Sequence, residues 1–204
     1  MNCFIFDVDG TLIDSSGVYL PALAQILEEG GYPYTQEMLK KAFGMTGRQG
    51  LAYFGVPEEQ RDAVLRRWEN MAYANLHNVT IYDGILDTLR ALRAAGCKLG
   101  VVTSRTRAQF ADGVKPLGLQ EYFDTIVCSD DVAHPKPAPD EALECLRRLD
   151  CVPEQAVYIG DSAFDMDCAR SAGIMSVLAL WGGHVPEGLS ADRCVSHPSE
   201  LLHL

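Results

Sequence analysis

Positive charge and long apolar stretches are both scarce in this sequence. Its 204 residues include 17 Lys and Arg and 28 Asp and Glu, which gives a formal net charge of −11. Nucleic acids and anionic membranes attract basic surfaces, so this charge argues against either as a partner. No apolar run approaches the ~20 residues of a membrane-spanning helix, and no basic N-terminal segment precedes a long apolar one. We therefore expect a cytoplasmic protein that does not bind membranes.

Closely spaced cysteines, internal repeats and low-complexity segments are missing as well. The seven cysteines are scattered, and several lie in apolar stretches. Free buried thiols in a reducing compartment account for that distribution. With 48% hydrophobic and 22% charged residues, the chain has a globular composition and is long enough to form a substantial core.

The segment 7–11 reads Asp-Val-Asp-Gly-Thr and directly follows the apolar run 3–6. Side chains of a strand alternate between its two faces, so Asp7 and Asp9 point the same way and can converge on one site. Asp and Gly are also common in ordinary turns, and a structural turn is the alternative for this segment alone. The choice between these interpretations depends on the segments that follow.

From residue 82 onward the hydrophobic pattern alternates between strand and helix. Strands are predicted at 98–102, 125–128, 156–159 and 175–179. Helices are predicted between them at 85–95, 107–117, 140–149 and 164–172. This alternation predicts an α/β fold with a parallel sheet covered on both faces. Residues 14–82 instead read as helices only, at 19–29, 35–43 and 57–76.

Three polar segments follow these strands, at the sheet edge where α/β proteins bind ligands. Thr103 and Ser104 stand where a strand gives way to a helix, a place suited to an anion. Lys136 lies between two prolines that stiffen its loop. Asp161 and Asp165, in Gly-Asp-Ser-x-x-Asp, share one face of a helix start. Taken singly, each segment could equally be a helix cap or a solvated loop.

The order Asp-x-Asp-Gly-Thr, Thr-Ser, Lys-Pro and Gly-Asp-Ser-x-x-Asp resembles the four signature segments of the haloacid dehalogenase-like phosphatase superfamily. The resemblance spans essentially the whole chain. It implies a Rossmann-like core formed by residues 1–14 and 82–204. It also implies a small helical cap inserted at residues 15–81, of the C1 type found in phosphoglycolate phosphatases and β-phosphoglucomutases.

Chemical roles follow from the residues and from this resemblance. Asp7 is an ionised carboxylate at neutral pH, so it can attack phosphorus without a base and form an aspartyl-phosphate. The resemblance implies that Asp9 is the general acid and base and that Thr103, Ser104 and Lys136 bind the phosphate. It further implies Mg²⁺ held by Asp7, the backbone carbonyl of Asp9 and Asp161, with Asp165 anchoring a metal-bound water.

The expected function is a magnesium-dependent phosphomonoesterase acting on a small phosphorylated metabolite, and a monomer is expected. The segment 129–137 is most similar to phosphoglycolate phosphatases and related pyrophosphatases. β-Phosphoglucomutases typically carry His ten residues after the second Asp, where this chain has Tyr19. A mutase, an inorganic pyrophosphatase and a catalytically silent regulator that binds a phosphorylated ligand stay open as alternatives.

Arg48 is the one candidate specificity residue in the predicted cap. The segment 44–48 reads Gly-Met-Thr-Gly-Arg and resembles the substrate-specificity loop of related caps. An arginine there would bind a second anionic group of the substrate. A solvated surface arginine is the alternative.

Overall fold

A computed structural model describes residues 1–183 and 189–204. Its main sheet has six parallel strands in the order β5-β4-β1-β6-β7-β8. These strands are β1 Cys3–Phe6, β4 Lys98–Thr103, β5 Thr125–Cys128, β6 Ala156–Gly160, β7 Met175–Ala179 and β8 Arg193–Val195. The chain runs from β1 outward to one edge and then returns to fill the other side. Strand order therefore reverses beside β1, at the point where such sheets form a binding crevice.

Helices and short 3₁₀ turns connect the strands. The α-helices of the described residues are α1 Ser16–Gly30, α2 Gln36–Ala42, α3 Gly47–Tyr53, α4 Glu58–Tyr73, α5 Ile85–Ala94, α6 Arg107–Gly113, α7 Asp140–Leu149 and α8 Ala163–Ser171. The 3₁₀ turns are Leu76–Asn78, Lys115–Leu117, Leu119–Tyr122, Ser129–Asp131, Pro153–Gln155 and Pro198–His203. None of these helices is both long and apolar enough to cross a bilayer.

The sheet separates two apolar clusters because strand side chains alternate between its faces. Phe4 and Phe6 of β1 join one cluster, which α5 and α6 cover. Cys3 and Ile5 join the other, which α7 and α8 cover. All four residues of β1 are buried, as expected for a central strand with helices on both faces. The predicted α/β fold and its parallel sheet are confirmed.

The helices α1 to α4 lie in one insertion between β1 and β4. Two short strands, β2 Ile13–Asp14 and β3 Thr80–Ile81, pair antiparallel where the chain leaves and re-enters the core. The insertion also packs around an apolar cluster of its own, which includes Leu23, Leu39 and Leu51. We call α1 to α4 the cap. The domain division at residues 14/15 and 81/82 stays a prediction, and the paired strands lie at those positions.

Several elements differ from the sequence expectation. The helix expected over 107–117 ends at Gly113 and continues as a 3₁₀ turn, because Pro116 cannot donate an intrahelical hydrogen bond. Helix α3 was not expected, since glycines at positions 47 and 50 disfavour helix. It starts at a capping box in which Thr46 and Gln49 exchange hydrogen bonds. The strands β2, β3 and β8 are only two or three residues long and have no clear alternating pattern.

The apolar clusters on the two faces of the sheet predict that two leucines in helices contribute very differently to the free energy of unfolding. Leu89 of α5 is fully buried against the sheet, whereas Leu143 of α7 is 44% exposed. Leu89→Ala should lower the free energy of unfolding by about 2–5 kcal/mol, because it opens a cavity in the core. Leu143→Ala should change it by less than about 0.5 kcal/mol. Urea unfolding of both variants measures the difference, and similar values would contradict this packing.

Candidate active site

The predicted site residues of the core meet at the carboxyl ends of three neighbouring strands. Asp7 follows β1, Thr103 ends β4 and Asp161 follows β6. Since β1 pairs with both β4 and β6, these residues share one edge of the sheet at the place where strand order reverses. The backbone N–H of Asp7 donates to the carbonyl of Ile159 at 2.8 Å, which ties the first residue after β1 to β6.

Lys136 joins this edge from the loop between β5 and α7. Its ammonium nitrogen lies 2.7 Å from a carboxylate oxygen of Asp7 and 2.7 Å from one of Asp165. The side chain is only 2% exposed. Burial alone would lower the pKa of Lys136, but the charges of Asp165 and Asp7 outweigh it and hold that pKa well above its usual range. Lys136 is therefore a buried, fixed positive charge beside Asp7.

Three carboxylates surround this region: Asp7, Asp161 and Asp165 each offer an oxygen within 4.8 Å of the others. When all three are ionised, Lys136 offsets one of the three negative charges, so two remain uncompensated. Burial raises the pKa of Asp7 to about 7, although the Lys136 charge opposes the shift. Burial and the charges of Asp165 and Asp7 also raise the pKa of Asp161. An excess of buried negative charge on hard oxygen donors fits a divalent cation.

Asp165 is oriented by its own helix. It accepts hydrogen bonds from the backbone N–H of Ser162 at 3.0 Å and from the Ser162 hydroxyl at 2.5 Å. The two residues form the capping box that starts α8. One oxygen of Asp165 thus accepts the hydrogen bonds from Ser162 at the start of α8, and the other binds the Lys136 ammonium. The helix-cap role of Asp165 therefore does not exclude the functional interpretation of Gly-Asp-Ser-x-x-Asp.

Gly10 permits the close approach of Asp161. Its φ of +84° lies in the left-handed region that favours glycine. A Cβ atom at this position would lie 2.2 Å from Oδ2 of Asp161. The turn after Asp9 therefore needs glycine both for its backbone conformation and for the space that Asp161 occupies.

Asp9 is engaged by an arginine that the sequence analysis did not single out. Arg105 donates from Nε to Oδ2 of Asp9 at 2.7 Å and from Nη2 to Oδ1 at 2.6 Å. The hydroxyl of Ser15 donates to Oδ1 as well. Burial by itself would raise the pKa of Asp9, but the Arg105 charge and these hydrogen bonds hold it below its usual range. The contacts of Asp9 with Arg105 and Ser15 thus favour its ionised form.

Arg105 also links the core to the cap. Its Nη1 donates to the hydroxyl of Tyr19 on α1 at 2.8 Å, and its guanidinium carbon lies 4.5 Å from the centre of the Tyr19 ring. The only signal in the sequence is the position of Arg105, directly after Thr103 and Ser104 at the end of a predicted strand. Position alone does not separate it from Arg107, whose side chain pairs with Asp131 at the surface.

Thr103 and Ser104 occupy the expected strand end, and both hydroxyls have partners there. Oγ1 of Thr103 accepts the backbone N–H of Arg105 at 3.2 Å, and Oγ of Ser104 donates to the carbonyl of Gly44 at 3.1 Å. A Cβ atom on Gly44 would lie 2.9 Å from Ser162, so this cap loop packs directly on the core. The cap is therefore closed over the carboxylate cluster.

A cavity of about 70 Å³ lies between the cap and the core. Asp9, Ser104 and Arg105 form its core side, while apolar and aromatic cap residues form most of the rest. Glu69 and Gln109 add polar groups, and Gln109 donates from Nε2 to Glu69 at 2.5 Å. The cap side is lined by Tyr19, Leu20, Leu23, Phe43, Met45, Gly47, Leu65, Trp68 and Tyr73.

Arg48 is not brought to this cavity. Its side chain is 51% exposed and pairs with Asp62 on α4. The physical reason is helix α3, which begins at Gly47 and so places Arg48 in its first turn rather than in the turn expected from the two glycines. The structure thus agrees with the surface alternative for Arg48, and Arg105 is the arginine that faces the cavity.

Comparisons with known proteins identify the family to which the chain is similar. Residues 4–179 match the family model described as haloacid dehalogenase-like hydrolase. Pyrophosphatase PpaX of Bacillus velezensis is 31% identical, over 100% of this chain and 96% of that protein. A phosphoglycolate phosphatase of Aquifex aeolicus is 32% identical, over 100% and 96%. The crystal structure of a hydrolase from Pseudomonas syringae superposes with a TM-score of 0.89 at 26% identity, covering 100% and 97%.

The charge of the carboxylate cluster predicts how the protein responds to divalent cations. Adding MgCl₂ after EDTA treatment should raise the melting temperature, because a cation that binds only the folded state stabilises it by about 2.7 kcal/mol at 100 times its Kd. Asp161→Asn should abolish this rise. It should also melt no lower than the wild type in EDTA, since it removes a repelled charge.

Asp167→Asn is the matched control, because Asp167 lies on α8, six residues after Asp161, is 53% exposed and pairs with Arg170. It should keep the full response to MgCl₂. The same response in Asp161→Asn, or an equal rise from KCl at matched ionic strength, would contradict a specific cation site.

Proposed function

Because the chain belongs to the haloacid dehalogenase-like hydrolase family, we propose that it is a magnesium-dependent phosphomonoesterase that uses Asp7 as its nucleophile. It is an enzyme that acts on phosphate esters, as its relatives indicate. The observation that carries the proposal is the buried Lys136 ammonium, 2.7 Å from the Asp7 carboxylate. A fixed positive charge at this point offsets the repulsion between an attacking carboxylate and an anionic phosphate.

In the first step an oxygen of Asp7 attacks the phosphorus of the substrate. A bond forms between that oxygen and phosphorus while the bond from phosphorus to the leaving oxygen breaks. Asp9, which has left Arg105 and taken up a proton from solvent before this step, donates that proton to the leaving oxygen, which departs as an alcohol. The product on the protein is an aspartyl-phosphate at Asp7. The hydroxyls of Thr103 and Ser104 and the ammonium of Lys136 bind the phosphoryl oxygens.

In the second step Asp9 takes a proton from a water molecule, which attacks the same phosphorus. The bond between Asp7 and phosphorus breaks, inorganic phosphate leaves, and both carboxylates return to their starting state. The cap contributes by excluding bulk water during the first step. The hydrogen bond from the Ser104 hydroxyl to the carbonyl of Gly44 supports a closed state, because it joins a cap loop to the core beside the site.

Mg²⁺ fits the donor set that the chain offers. Asp7, Asp161, Asp165 and the backbone carbonyl of Asp9 would hold it, and Asp165 would act through a bound water. When bound, it neutralises the two charges that Lys136 leaves uncompensated and the added charge of the phosphate. Asp165 has a second function in any case, because it fixes the Lys136 ammonium at 2.7 Å.

The substrate we propose is a small phosphorylated metabolite of the phosphoglycolate type. The cavity of about 70 Å³ has room for a leaving group of a few heavy atoms. Inorganic pyrophosphate is the second candidate, because a pyrophosphatase matches the full length of the chain. A mutase is less well supported, since Tyr19 stands at the position of the mutase His and its hydroxyl is bound by Arg105. We further propose that the enzyme is a cytoplasmic monomer.

Asp7→Asn should abolish hydrolysis, because it removes the nucleophile while keeping nearly the same shape. The loss of kcat on p-nitrophenyl phosphate should exceed ~10³-fold. Circular dichroism and the melting temperature check that the variant is folded. A folded variant with more than a tenth of wild-type turnover would exclude Asp7 as nucleophile. A wild-type protein that binds phosphate esters without turnover would instead favour the silent regulator.

Asp9→Asn should discriminate between leaving groups. A poor leaving group needs protonation as it departs, whereas p-nitrophenolate does not. The variant should therefore lose far more kcat/KM on an alkyl phosphate than on p-nitrophenyl phosphate, since kcat/KM reports the steps through leaving-group departure. Equal losses on both esters would show that Asp9 does not protonate the leaving group.

A further inference from the structure

We propose that Arg105 makes the release of Asp9 depend on a second anionic group in the substrate. In this exchange, the substrate's carboxylate or second phosphate takes the place of Asp9 on the guanidinium. Only then is the Asp9 side chain free to reach the leaving oxygen. The inference rests on the proposed function and deepens it, because it assigns the substrate class and the residue that recognises it.

The first observation is that Asp9 is fully engaged. Both of its carboxylate oxygens accept from Arg105, at 2.7 and 2.6 Å, and one also accepts from the buried hydroxyl of Ser15. A carboxylate held by two parallel N–H bonds is strongly fixed in orientation. Asp9 cannot donate a proton to a substrate oxygen while it stays in this arrangement.

The second observation is that the ion pair is almost closed off from water. The side chains of Arg105 and Asp9 are 9% and 17% exposed. Breaking such a pair without replacing one partner leaves an uncompensated buried charge, which is strongly unfavourable. A substrate with a neutral end would have to free Asp9 from Arg105 at the full free-energy cost of an unpaired buried charge. A substrate with an anionic end would replace the lost partner.

The third observation is that Arg105 faces the leaving-group cavity together with Asp9. A guanidinium has five N–H groups, and Arg105 uses one on each nitrogen, two for Asp9 and one for the Tyr19 hydroxyl. Stacking against the Tyr19 ring, with 4.5 Å between guanidinium carbon and ring centre, holds its plane in place. The guanidinium can therefore bind a new carboxylate through the N–H groups that now hold Asp9, without changing its own position.

Glu69 is the charged group that opposes this inference. It lines the same cavity and is held by Gln109 on α6. A carboxylate among aromatic side chains would suit a cationic leaving group instead. A cationic group, however, would leave the pair of Asp9 and Arg105 intact and so would not free Asp9. The positive charge of Arg105 therefore favours a substrate whose leaving group is anionic. The experiment below also tests the cationic alternative.

Three phosphate esters with two-carbon leaving groups test the inference, because they differ mainly in the charge of the distal group. Phosphoglycolate has an anionic end, 2-hydroxyethyl phosphate a neutral end and phosphoethanolamine a cationic end. Wild-type kcat/KM should be at least about tenfold higher for phosphoglycolate than for the other two, as expected for a charge-assisted contact. Inorganic pyrophosphate, which also carries a second anionic group, is measured alongside.

Arg105→Gln should abolish this preference. Its kcat/KM for phosphoglycolate should fall by at least about tenfold, because the anion loses its partner. Its kcat/KM for 2-hydroxyethyl phosphate should rise, because Asp9 no longer has to be freed from Arg105. Arg105→Lys keeps the positive charge but lacks the paired N–H donors. Its kcat/KM for phosphoglycolate should therefore lie between those of the wild type and Arg105→Gln. Arg48→Gln, on the cap surface, is the control and should keep the wild-type preference.

Three outcomes would overturn the inference. One is an equal loss on all three esters in folded Arg105→Gln and Arg105→Lys, which indicates a structural role. Another is a preference for phosphoethanolamine that Glu69→Gln removes. The third is an enzyme that hydrolyses p-nitrophenyl phosphate but neither phosphoglycolate nor pyrophosphate. Failure of the proposed function would look different, because the wild type would then hydrolyse no ester and Asp7→Asn would change nothing.

Discussion

The structure depends on one electrostatic constraint: three carboxylates and a single ammonium lie together at the carboxyl end of a buried sheet. Asp7, Asp161 and Asp165 approach within 4.8 Å, and only Lys136 lies among them as a positive charge in the described part of the chain. Such a cluster is unfavourable unless further positive charge joins it. Burial raises the pKa of Asp7, the neighbouring carboxylates add to the shift, and the excess negative charge makes the site attractive to a divalent cation.

A second, balanced pair lies beside this unbalanced cluster. Asp9 and Arg105 neutralise each other, and Arg105 reaches Tyr19 of the cap. The two aspartates of Asp-x-Asp are therefore in opposite electrostatic states although they are two residues apart. Burial is the main cause of the raised pKa of Asp7, whereas Arg105 outweighs burial at Asp9 and helps to lower its pKa. In the proposed mechanism Asp7 is the nucleophile and Asp9 transfers protons, and Arg105 connects Asp9 to Tyr19 of the cap.

Much of this arrangement could be predicted from the sequence because it follows from strand ends. Asp7, Thr103 and Asp161 each come directly after an apolar run, and parallel strands bring their carboxyl ends to one edge. The role of Arg105 could not be predicted, because it depends on the direction of one side chain after a strand. The surface position of Arg48 could not be predicted, because α3, a short helix containing glycines, has no strong hydrophobic pattern. Without α3, Arg48 reads as part of a turn aimed at the core.

Detection of the aspartyl-phosphate tests the central claim most directly. In Asp9→Asn, p-nitrophenyl phosphate should still phosphorylate Asp7, but the water that clears the intermediate should lack its base. Rapid mixing should then show a burst of about one p-nitrophenolate per enzyme, followed by slow turnover. Mass spectrometry of the acid-quenched protein should find one phosphoryl group on Asp7. Product release that is linear from the first turnover with no adduct, or a phosphoryl group on another residue, would contradict the account.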